Sequence, residues 1–442
     1  MDSYLVDASS FRGQADKVLV PAGEPELIEI VREAARESIP MTISGGRTGL
    51  TGGSVAQGGW VVSLEKFQRL EIEKGRAIVR AGASLEAVQT AARQTRQFYA
   101  PDPTERTASI GGNIATNASG SRSFRYGSTR RHVLGLRVVL ADGRVLTLAR
   151  GDKVDFPVAH IPLPNTTKNT AGYALSPEMD WIDLFTGSEG TLGIVTEAEL
   201  QLLPEPADIL AGVVFFPSDG AAVDVVEAWR AIPGLRMIEY FDSNSLALLR
   251  GRYPEIPPRA AAALLIEQEN GDIDFWAEHA PEDSWFAASD QDRERFRRFR
   301  HALPEIVNDT VRRRGYLKVN SDYAVPLDRN LEMLAHYHRC LRELALDYVI
   351  FGHIGDAHVH VNILPKSEPE FKAGQDLMLE FARHAVELGG TVSAEHGLGK
   401  RKAHLLALQY TPAQIETMKE VKRRLDPHWL LNRGNLFPVE CG

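Results

Sequence analysis

The 442-residue chain is poor in cysteine, with only Cys340 and Cys441. They are far apart and form no Cys-x-x-Cys pair, which argues against a disulfide scaffold, a zinc ribbon or an iron–sulfur cluster. No Lys/Arg-rich block or basic tail occurs, and the net charge is −9, so a nucleic-acid partner is not expected. No apolar run reaches the length of about 18 residues that would span a membrane. The start, Met1-Asp-Ser-Tyr-Leu-Val-Asp7, lacks a basic region followed by an apolar core, so no secretory signal is read there and a cytoplasmic location is expected. No Gly-x-Gly-x-x-Gly and no Gly-Lys-Ser/Thr ending is found, which removes the Rossmann and P-loop fingerprints. What remains is ordinary globular composition, 43% hydrophobic and 25% charged, in a chain long enough for two or three domains.

The densest chemistry lies in Phe351-Gly-His-Ile-Gly-Asp-Ala-His-Val-His-Val-Asn362. Apolar runs on both sides and a Gly355-Asp356 turn signal predict a β-hairpin. With the turn centred between Asp356 and Ala357, position 353 faces position 360, and 358, 360 and 362 share one face by the period of two. One surface then carries His353, His358, His360 and Asn362. Clustered imidazoles suit a divalent transition metal, which still needs an anionic ligand, and Ser393-Ala-Glu-His-Gly-Leu-Gly-Lys400 contains a candidate. The competing reading is a histidine-rich sheet face that is only hydrogen-bonded.

Upstream, Val18-Leu-Val-Pro21, Met41-Thr-Ile-Ser44 and Trp60-Val-Val-Ser-Leu64 read as strands and Glu24–Glu37 as a helix. Leu136 to Leu140 and Arg144 to Leu148 form a hairpin pattern about an Ala-Asp-Gly turn. Three glycine-dense segments each adjoin a strand: Gly45 to Ser54, Thr107 to Thr129, and Thr186 to Gly193. Singly each is a turn. Together, with their Ser and Thr donors, they suit close backbone approach to a large phosphate-bearing cofactor. Pro204-Glu-Pro-Ala207 marks a boundary, after which the chain becomes more helical and more charged, notably at 290–300.

The ordered motifs Gly45-Gly-Arg-Thr-Gly-Leu-Thr-Gly-Gly53, Pro101-Asp-Pro-Thr104, Ile110-Gly-Gly-Asn-Ile-Ala-Thr-Asn-Ala-Ser-Gly120, Tyr126-Gly-Ser-Thr129, Val133 to Gly143 and Phe185 to Thr196 resemble the FAD-binding domain of the vanillyl-alcohol-oxidase superfamily. Gly352-His-Ile-Gly-Asp356 and Glu395-His-Gly-Leu-Gly-Lys400 look like the cap of the FAD-linked oxidases, in the D-lactate and D-2-hydroxyglutarate dehydrogenase branch. The resemblance implies an α+β fold: a two-subdomain FAD domain (1–205), an α+β cap on an antiparallel sheet (206–425), and a C-terminal segment (426–442) returning to the FAD domain.

It also implies a site. Ser44, Gly45, Gly46, Arg47, Thr48 and Gly49 would hold the pyrophosphate. Asp102, Pro103, Thr104, Gly111, Gly112, Asn113, Ala115, Thr116 and Gly120 would line the flavin, and Glu189, Gly190 and Ile194 the adenine or ribose side. Relatives usually carry Arg where Ser44 stands and Gly where Arg47 stands. Arg47 lies near the position of the flavin-linked His of covalent members, so noncovalent FAD is implied. By the same resemblance His353, His360 and Glu395 bind one divalent ion, zinc or manganese, with His358 beside them. His396, with an unperturbed pKa near 6.5, is the general base, as hydride passes from the substrate Cα to flavin N5. Its competing role is a loop histidine that caps backbone groups. Arg300 matches the carboxylate clamp, Lys318 is a second cation, and Asn362 a further substrate contact.

The expected activity is oxidation of a D-lactate-like D-2-hydroxyacid. The electron acceptor is left open among electron-transfer flavoprotein, cytochrome and quinone, and a homodimer is possible on this reading. Alternatives are a D-2-hydroxyglutarate dehydrogenase, a glycolate-oxidase-type flavin subunit of a complex, and, in a different class, a metallohydrolase using the His/Glu site.

Overall fold

A three-stranded parallel sheet begins the chain, ordered Lys17–Leu19, Trp60–Ser63, Met41–Ser44. In this computed structural model residues 2–287 and 289–438 are described, and Cys441 lies outside them. The central strand Trp60–Ser63 is buried throughout, as a parallel strand covered on both faces requires. The helix Glu24–Glu37 between the outer strands has Pro at its start, acidic Glu24 and Glu26 in the first turn, and Ser38 in the left-handed conformation at its end. Leu27, Val31 and Ala34 form its buried stripe.

A five-stranded antiparallel sheet follows, ordered Leu70–Glu73, Arg76–Arg80, Ile194–Gln201, Val133–Val139, Val145–Ala149. Ile194–Gln201 alternates buried and half-buried residues along its whole length, the period-two signature of a sheet covered more fully on one face. The first glycine segment joins Met41–Ser44 to Trp60–Ser63, the other two lead into Val133–Val139 and Ile194–Gln201, and Ser109 caps the short helix Ile110–Ala115 by accepting from the Gly112 N–H.

The second half is built on a seven-stranded antiparallel sheet. Its order is Trp285–Phe286, Ile209–Phe216, Ala262–Glu269, Leu235–Phe241, Tyr348–His353, His358–Ile363, Val319–Asn320. Val214, Phe216, Ile238, Tyr240, Leu264 and Ile266 enter one core. The alternating Val213, Phe215, Met237, Phe241 and Leu265 enter another. On that second face lies the helix Asp290–Arg314, which buries Phe296, Phe299, Leu303 and Val307. It is N-capped by Ser289 and ends at Gly315 in the left-handed region.

The C-terminal stretch comes back to the first sheet. Met41 N donates to Leu430 O at 2.7 Å and Asn432 N to Met41 O at 2.8 Å. The buried Lys422 ammonium ties this return together, donating to Thr191 O, Leu431 O and the Asp426 carboxylate. The α+β architecture expected from the sequence is what the chain adopts. Among the described residues no helix is long and apolar enough to cross a membrane.

The expected hairpin forms, but its register is corrected. His353 pairs with His358 and Phe351 with His360, so 353 does not face 360. A one-turn 3-10 segment Ile354–Asp356, closed by Ala357 at φ 50°, centres the loop between Gly355 and Asp356, one residue earlier than the centre between Asp356 and Ala357 read from sequence. The pairing therefore shifts by two residues. Because side chains alternate with period two, that shift leaves His353, His358, His360 and Asn362 on one face.

Candidate active site

The cap-sheet face that carries these histidines also carries Glu239, a single acidic residue in the apolar strand Leu235–Phe241. Tyr240 pairs with Gly352, which sets Glu239 beside His353. The Glu239 carboxylate accepts from His353 Nδ1 at 2.5 Å and from Arg300 Nε at 3.0 Å. One buried carboxylate thus orients both the hairpin histidine and the arginine of the overlying helix. Burial alone would raise its pKa; His353 and Arg300 outweigh that and hold Glu239 far below the usual carboxylate range.

Glu395 arrives from a loop. Its Oε1 is 3.4 Å from His353 Nε2 and 3.3 Å from His360 Nε2, and its Oε2 accepts from Lys168 Nζ at 3.1 Å and Ser119 Oγ at 3.2 Å. Ligand atoms of His353, His358, His360 and Glu395 all lie within 4.8 Å of one another. His360 Nδ1 meets Ser321 O at 3.0 Å, which leaves Nε2 facing the cluster. Two or three imidazoles and a carboxylate held this closely, with His353 and His360 anchored through the other ring nitrogen, fit a borderline divalent ion. Burial opposes charge on His353, but Glu239 and Glu395 prevail and raise its pKa to about 9. His358 is pushed the other way, to about 3, by burial and by His360.

The loop bearing Glu395 and His396 is hung on Asp322. This fully buried carboxylate accepts from Glu395 N, His396 N and Ser393 Oγ at 3.2, 3.0 and 2.9 Å. It also lies 3.3 Å from His358 Nε2 and 3.5 Å from His396 Nδ1. The His396 ring stacks on His360 at 5.5 Å. Its pKa is not the unperturbed value expected from sequence: burial lowers it to about 4, against the pull of Asp322 and Glu395. The imidazole is therefore neutral at neutral pH, with a lone pair free to accept a proton.

On the other side of the site, Asp102, Pro103 and Thr104 line a cavity of about 550 Å³ together with Arg300, Arg122, Arg236 and Arg297. Arg122 lies 3.4 Å from Asp102 and 3.1 Å from Glu267, and Arg236 is 2.9 Å from Glu267. Arg236 also lies 3.6 Å from Glu269, so these two arginines are held among three carboxylates on the cavity wall. Asn362 is buried on the histidine face and donates to His360 O. Lys318 adjoins the edge strand whose Asn320 pairs with Asn362. Burial lowers its pKa, and its ammonium has no ion-pair partner among the described residues.

The glycine segments converge as expected. Gly45, Gly111, Gly112, Ala115, Gly190 and Ile194 line a narrow cleft of about 70 Å³, joined by Ser109 and Asn432. A Cβ on Gly45 would lie 2.2 Å from Ser109 Oγ, and one on Gly120 2.1 Å from the Asp102 carbonyl. Ser44 Oγ, Asn113 Nδ2 and Ser121 Oγ are buried without a partner within the chain. Backbone surface, bare glycines and unpaired donors are what a dinucleotide-sized cofactor requires, so these residues fit FAD.

Thr116 Oγ1 turns back to Gly112 O, and Gly46 N donates to Ser109 Oγ. Thr48 is half-buried and Gly49 exposed. Arg47, at φ 58°, packs its guanidinium over Tyr4 and 3.6 Å from Glu65. Glu189 is directed at the cap: its carboxylate accepts from Leu398 N and Gly399 N, both at 2.7 Å.

Lys168, Glu239, Asp322, Ser109 and Asn432 were not singled out in the sequence. For Glu239 a signal existed, an acid inside an apolar strand-like run, since such a residue is buried only when paired; Asp322 follows the polar Asn320-Ser321 pair and carried no such signal. Lys168 sits in a polar loop with no pattern. Its side chain is nevertheless fully buried, 3.3 Å from Asp356 and 3.1 Å from Glu395.

Comparisons with known proteins agree with this geometry. Residues 15–149 match the family described as FAD binding domain, and residues 205–436 the FAD linked oxidases, C-terminal domain. The chain is 33% identical to D-2-hydroxyglutarate dehydrogenase of Xanthomonas citri pv. viticola, over 95% of this chain and 89% of that protein. It is 30% identical to D-lactate dehydrogenase of Archaeoglobus fulgidus (95% and 90%) and 31% to glycolate oxidase subunit GlcD of Bacillus subtilis (99% and 92%). A solved alkyldihydroxyacetonephosphate synthase superposes with a TM-score of 0.67 at 15% identity, covering 94% of this chain and 75% of that one. That likeness concerns the fold alone.

Proposed function

This chain belongs to the FAD-linked oxidase family, and from that premise we propose that it is an FAD-dependent dehydrogenase converting a D-lactate-like D-2-hydroxyacid to its 2-oxo acid. The observation that carries the reading is the meeting of two halves. The Glu239 carboxylate joins Arg300 to His353 of the His353/His360/Glu395 cluster, His396 stacks on His360, and Arg300 opens onto the cavity lined by Asp102, Pro103 and Thr104.

Bound FAD supplies the two-electron acceptor, and a divalent ion (zinc or manganese) on His353, His360 and Glu395 supplies Lewis-acid charge for the substrate oxygens. Arg300, held through Nε by Glu239, offers its remaining guanidinium N–H groups to the carboxylate. His396 keeps its ring proton on Nδ1, toward Asp322, and takes the hydroxyl proton at Nε2. Asn362 hydrogen-bonds substrate from the histidine face, Lys318 adds a second cation, and His358 stays neutral beside Asp322.

The FAD contacts assigned from sequence belong to the same reading, as does the division into residues 1–205, 206–425 and 426–442. The Met41–Leu430 and Met41–Asn432 hydrogen bonds support the return of the last segment. With Arg47 near the place of the flavin-linked His, and turned to Tyr4 and Glu65, the flavin is held noncovalently on this reading. The acceptor is an electron-transfer flavoprotein, cytochrome or quinone, the location cytoplasmic, and a homodimer is compatible with this reading.

A D-2-hydroxyglutarate enzyme is the second reading, favoured by the 33% identity to a relative of that name; Arg122 and Arg236 on the cavity wall would meet a distal carboxylate by exchanging their present Asp102 and Glu267 partners. Anaerobic bleaching of the flavin by a panel of D- and L-2-hydroxyacids tests both. The proposal expects D-acids to bleach and L-acids not to, and relative kcat/KM for D-lactate and D-2-hydroxyglutarate separates the two substrates. A colourless purified protein that hydrolyses esters or amides would replace both with a metallohydrolase. A yellow protein inactive with an artificial dye would make it a subunit that works only in a complex.

A further inference from the structure

Two helices of the second half bring together a separate set of donors. His336 and Cys340 are four residues apart on the helix Asn330–Glu343, and Glu380 and His384 four apart on the helix Glu368–Glu387. That spacing places each pair on one helix face. The two faces meet. His336 Nε2 lies 2.7 Å from Glu380 Oε1 and 3.7 Å from Cys340 Sγ, and the His336 and His384 rings stack at 3.9 Å. Ligand atoms of His336, Cys340 and Glu380 all fall within 4.8 Å of one another. The His336 side chain is only 9% exposed, and Glu380 Oε2 is buried without a hydrogen-bond partner.

We propose that His336, Cys340 and Glu380, with His384 beside them, form a second metal site that takes Zn²⁺ or another thiophilic divalent ion and ties the two helices together. A thiolate, an imidazole and a carboxylate with room for a fourth ligand are a zinc-type donor set. Zinc distances of about 2.1 Å to nitrogen and 2.3 Å to sulfur put the two ligands of a tetrahedron about 3.6 Å apart. The Cys340–His336 pair already stands at that separation. The His336–Glu380 contact must open from a hydrogen bond to about 3.4 Å as the ion takes the proton's place.

Proton bookkeeping for ion entry is simple. Arg339 donates to His336 Nδ1 at 2.7 Å, so the free imidazole carries its proton on Nε2, toward Glu380. Metal at Nε2 moves that proton to Nδ1 and displaces Arg339. The Cys340 thiol, whose pKa burial raises, releases its proton to solvent, so each ion bound frees one proton and binding tightens as pH rises.

This site contains sulfur, whereas the His353/His360/Glu395 cluster does not, and that difference makes the test selective. Metal-free full-length flavoprotein is titrated with Co²⁺, and the sulfur-to-cobalt charge-transfer absorption is read as a difference spectrum over the flavin. The proposal expects one equivalent of this absorption in the natural chain and in Cys441→Ser. It expects loss of the absorption in Cys340→Ser and at least tenfold weaker binding in His336→Ala and Glu380→Gln. Equimolar Zn²⁺ should abolish it, while flavin content and dye-linked turnover of Cys340→Ser stay near the natural level. Absence of the absorption in the natural chain overturns the proposal, a result that needs no variant to fold. So does its loss in Cys441→Ser with retention in Cys340→Ser.

Discussion

The glycine cleft and the histidine face are built by opposite means. The cleft is made of backbone: bare glycines, short helices and hydroxyl caps drawn mostly from contiguous motifs, with scarcely a charge among them. The histidine face is made of ionisable side chains from five separate stretches, around Lys168, Glu239, Asp322, His353 to His360, and Glu395 to His396. A backbone site tolerates changes in neighbouring side chains but not an added Cβ. A charge network tolerates changes of shape but not of charge.

The largest effect should come from breaking the network. Lys168→Met leaves the Asp356 and Glu395 carboxylates buried beside one another, and removing one partner of a buried ion pair costs about 3–5 kcal/mol. Urea denaturation should show that loss of stability. A midpoint within experimental error of the natural chain would mean that the lysine is not a counter-charge.

Glu189 joins the two regions, and its effect is pH-dependent. Burial raises its carboxyl from 4.5 to about 7 in spite of the Leu398 and Gly399 N–H bonds. A folded-state pKa raised above the unfolded one contributes stability that is full below about pH 4.5 and is lost as pH rises through about 7. Each unit of the shift is worth about 1.4 kcal/mol. Glu189→Gln should therefore remove a falling slope in that window. Parallel stability curves for the two proteins between pH 5 and 8 would refute the raised pKa.

For the cleft, Gly45→Ala drives a Cβ onto Ser109 Oγ and should weaken FAD binding by about 1–3 kcal/mol, the usual cost of overpacking. Adding Ser109→Ala should recover part of it, since the obstruction is a side chain. The same substitution at Gly120 meets the Asp102 carbonyl and has no such rescue. Fluorescence of released flavin measures all three, and equal rescue at both positions would contradict a backbone-built cleft.

The smallest change is expected for Arg47→Gly. Glycine relieves a left-handed φ worth about 1–2 kcal/mol while losing the Tyr4 and Glu65 contacts, so stability should move by about 1 kcal/mol or less. In both proteins acid precipitation should release the flavin into the supernatant. Colour remaining in the pellet would show a covalent link that Arg47 does not preclude.

Much of this was open to reading along the chain, because the relevant physics is local. Glu24–Glu37 forms its helix as read, since its proline, first-turn acids and apolar stripe all lie within the segment. The glycine motifs announced the cleft because close backbone approach demands glycine at particular places. The single face of His353, His358, His360 and Asn362 survived a misplaced turn, because an even shift of register preserves parity. The register itself turned on the loop being centred at Gly355-Asp356 and closed by Ala357 at φ 50°, a left-handed conformation that alanine does not announce.

Tertiary structure alone decided which charges meet. Lys168 lies 227 positions from Glu395, and Glu239 lies 114 from His353. Neither separation has a period to read; burial moves His396 down to about 4, while Glu239 and Glu395 outweigh burial and raise His353 to about 9. Sequence by itself determined the elements, the glycine cradle and the residue types of the site, because those follow from backbone sterics and side-chain alternation over a few residues. The pairing of charges and their protonation states followed only from folding, because electrostatic energy depends on distance and dielectric, which the order of residues along the chain does not contain.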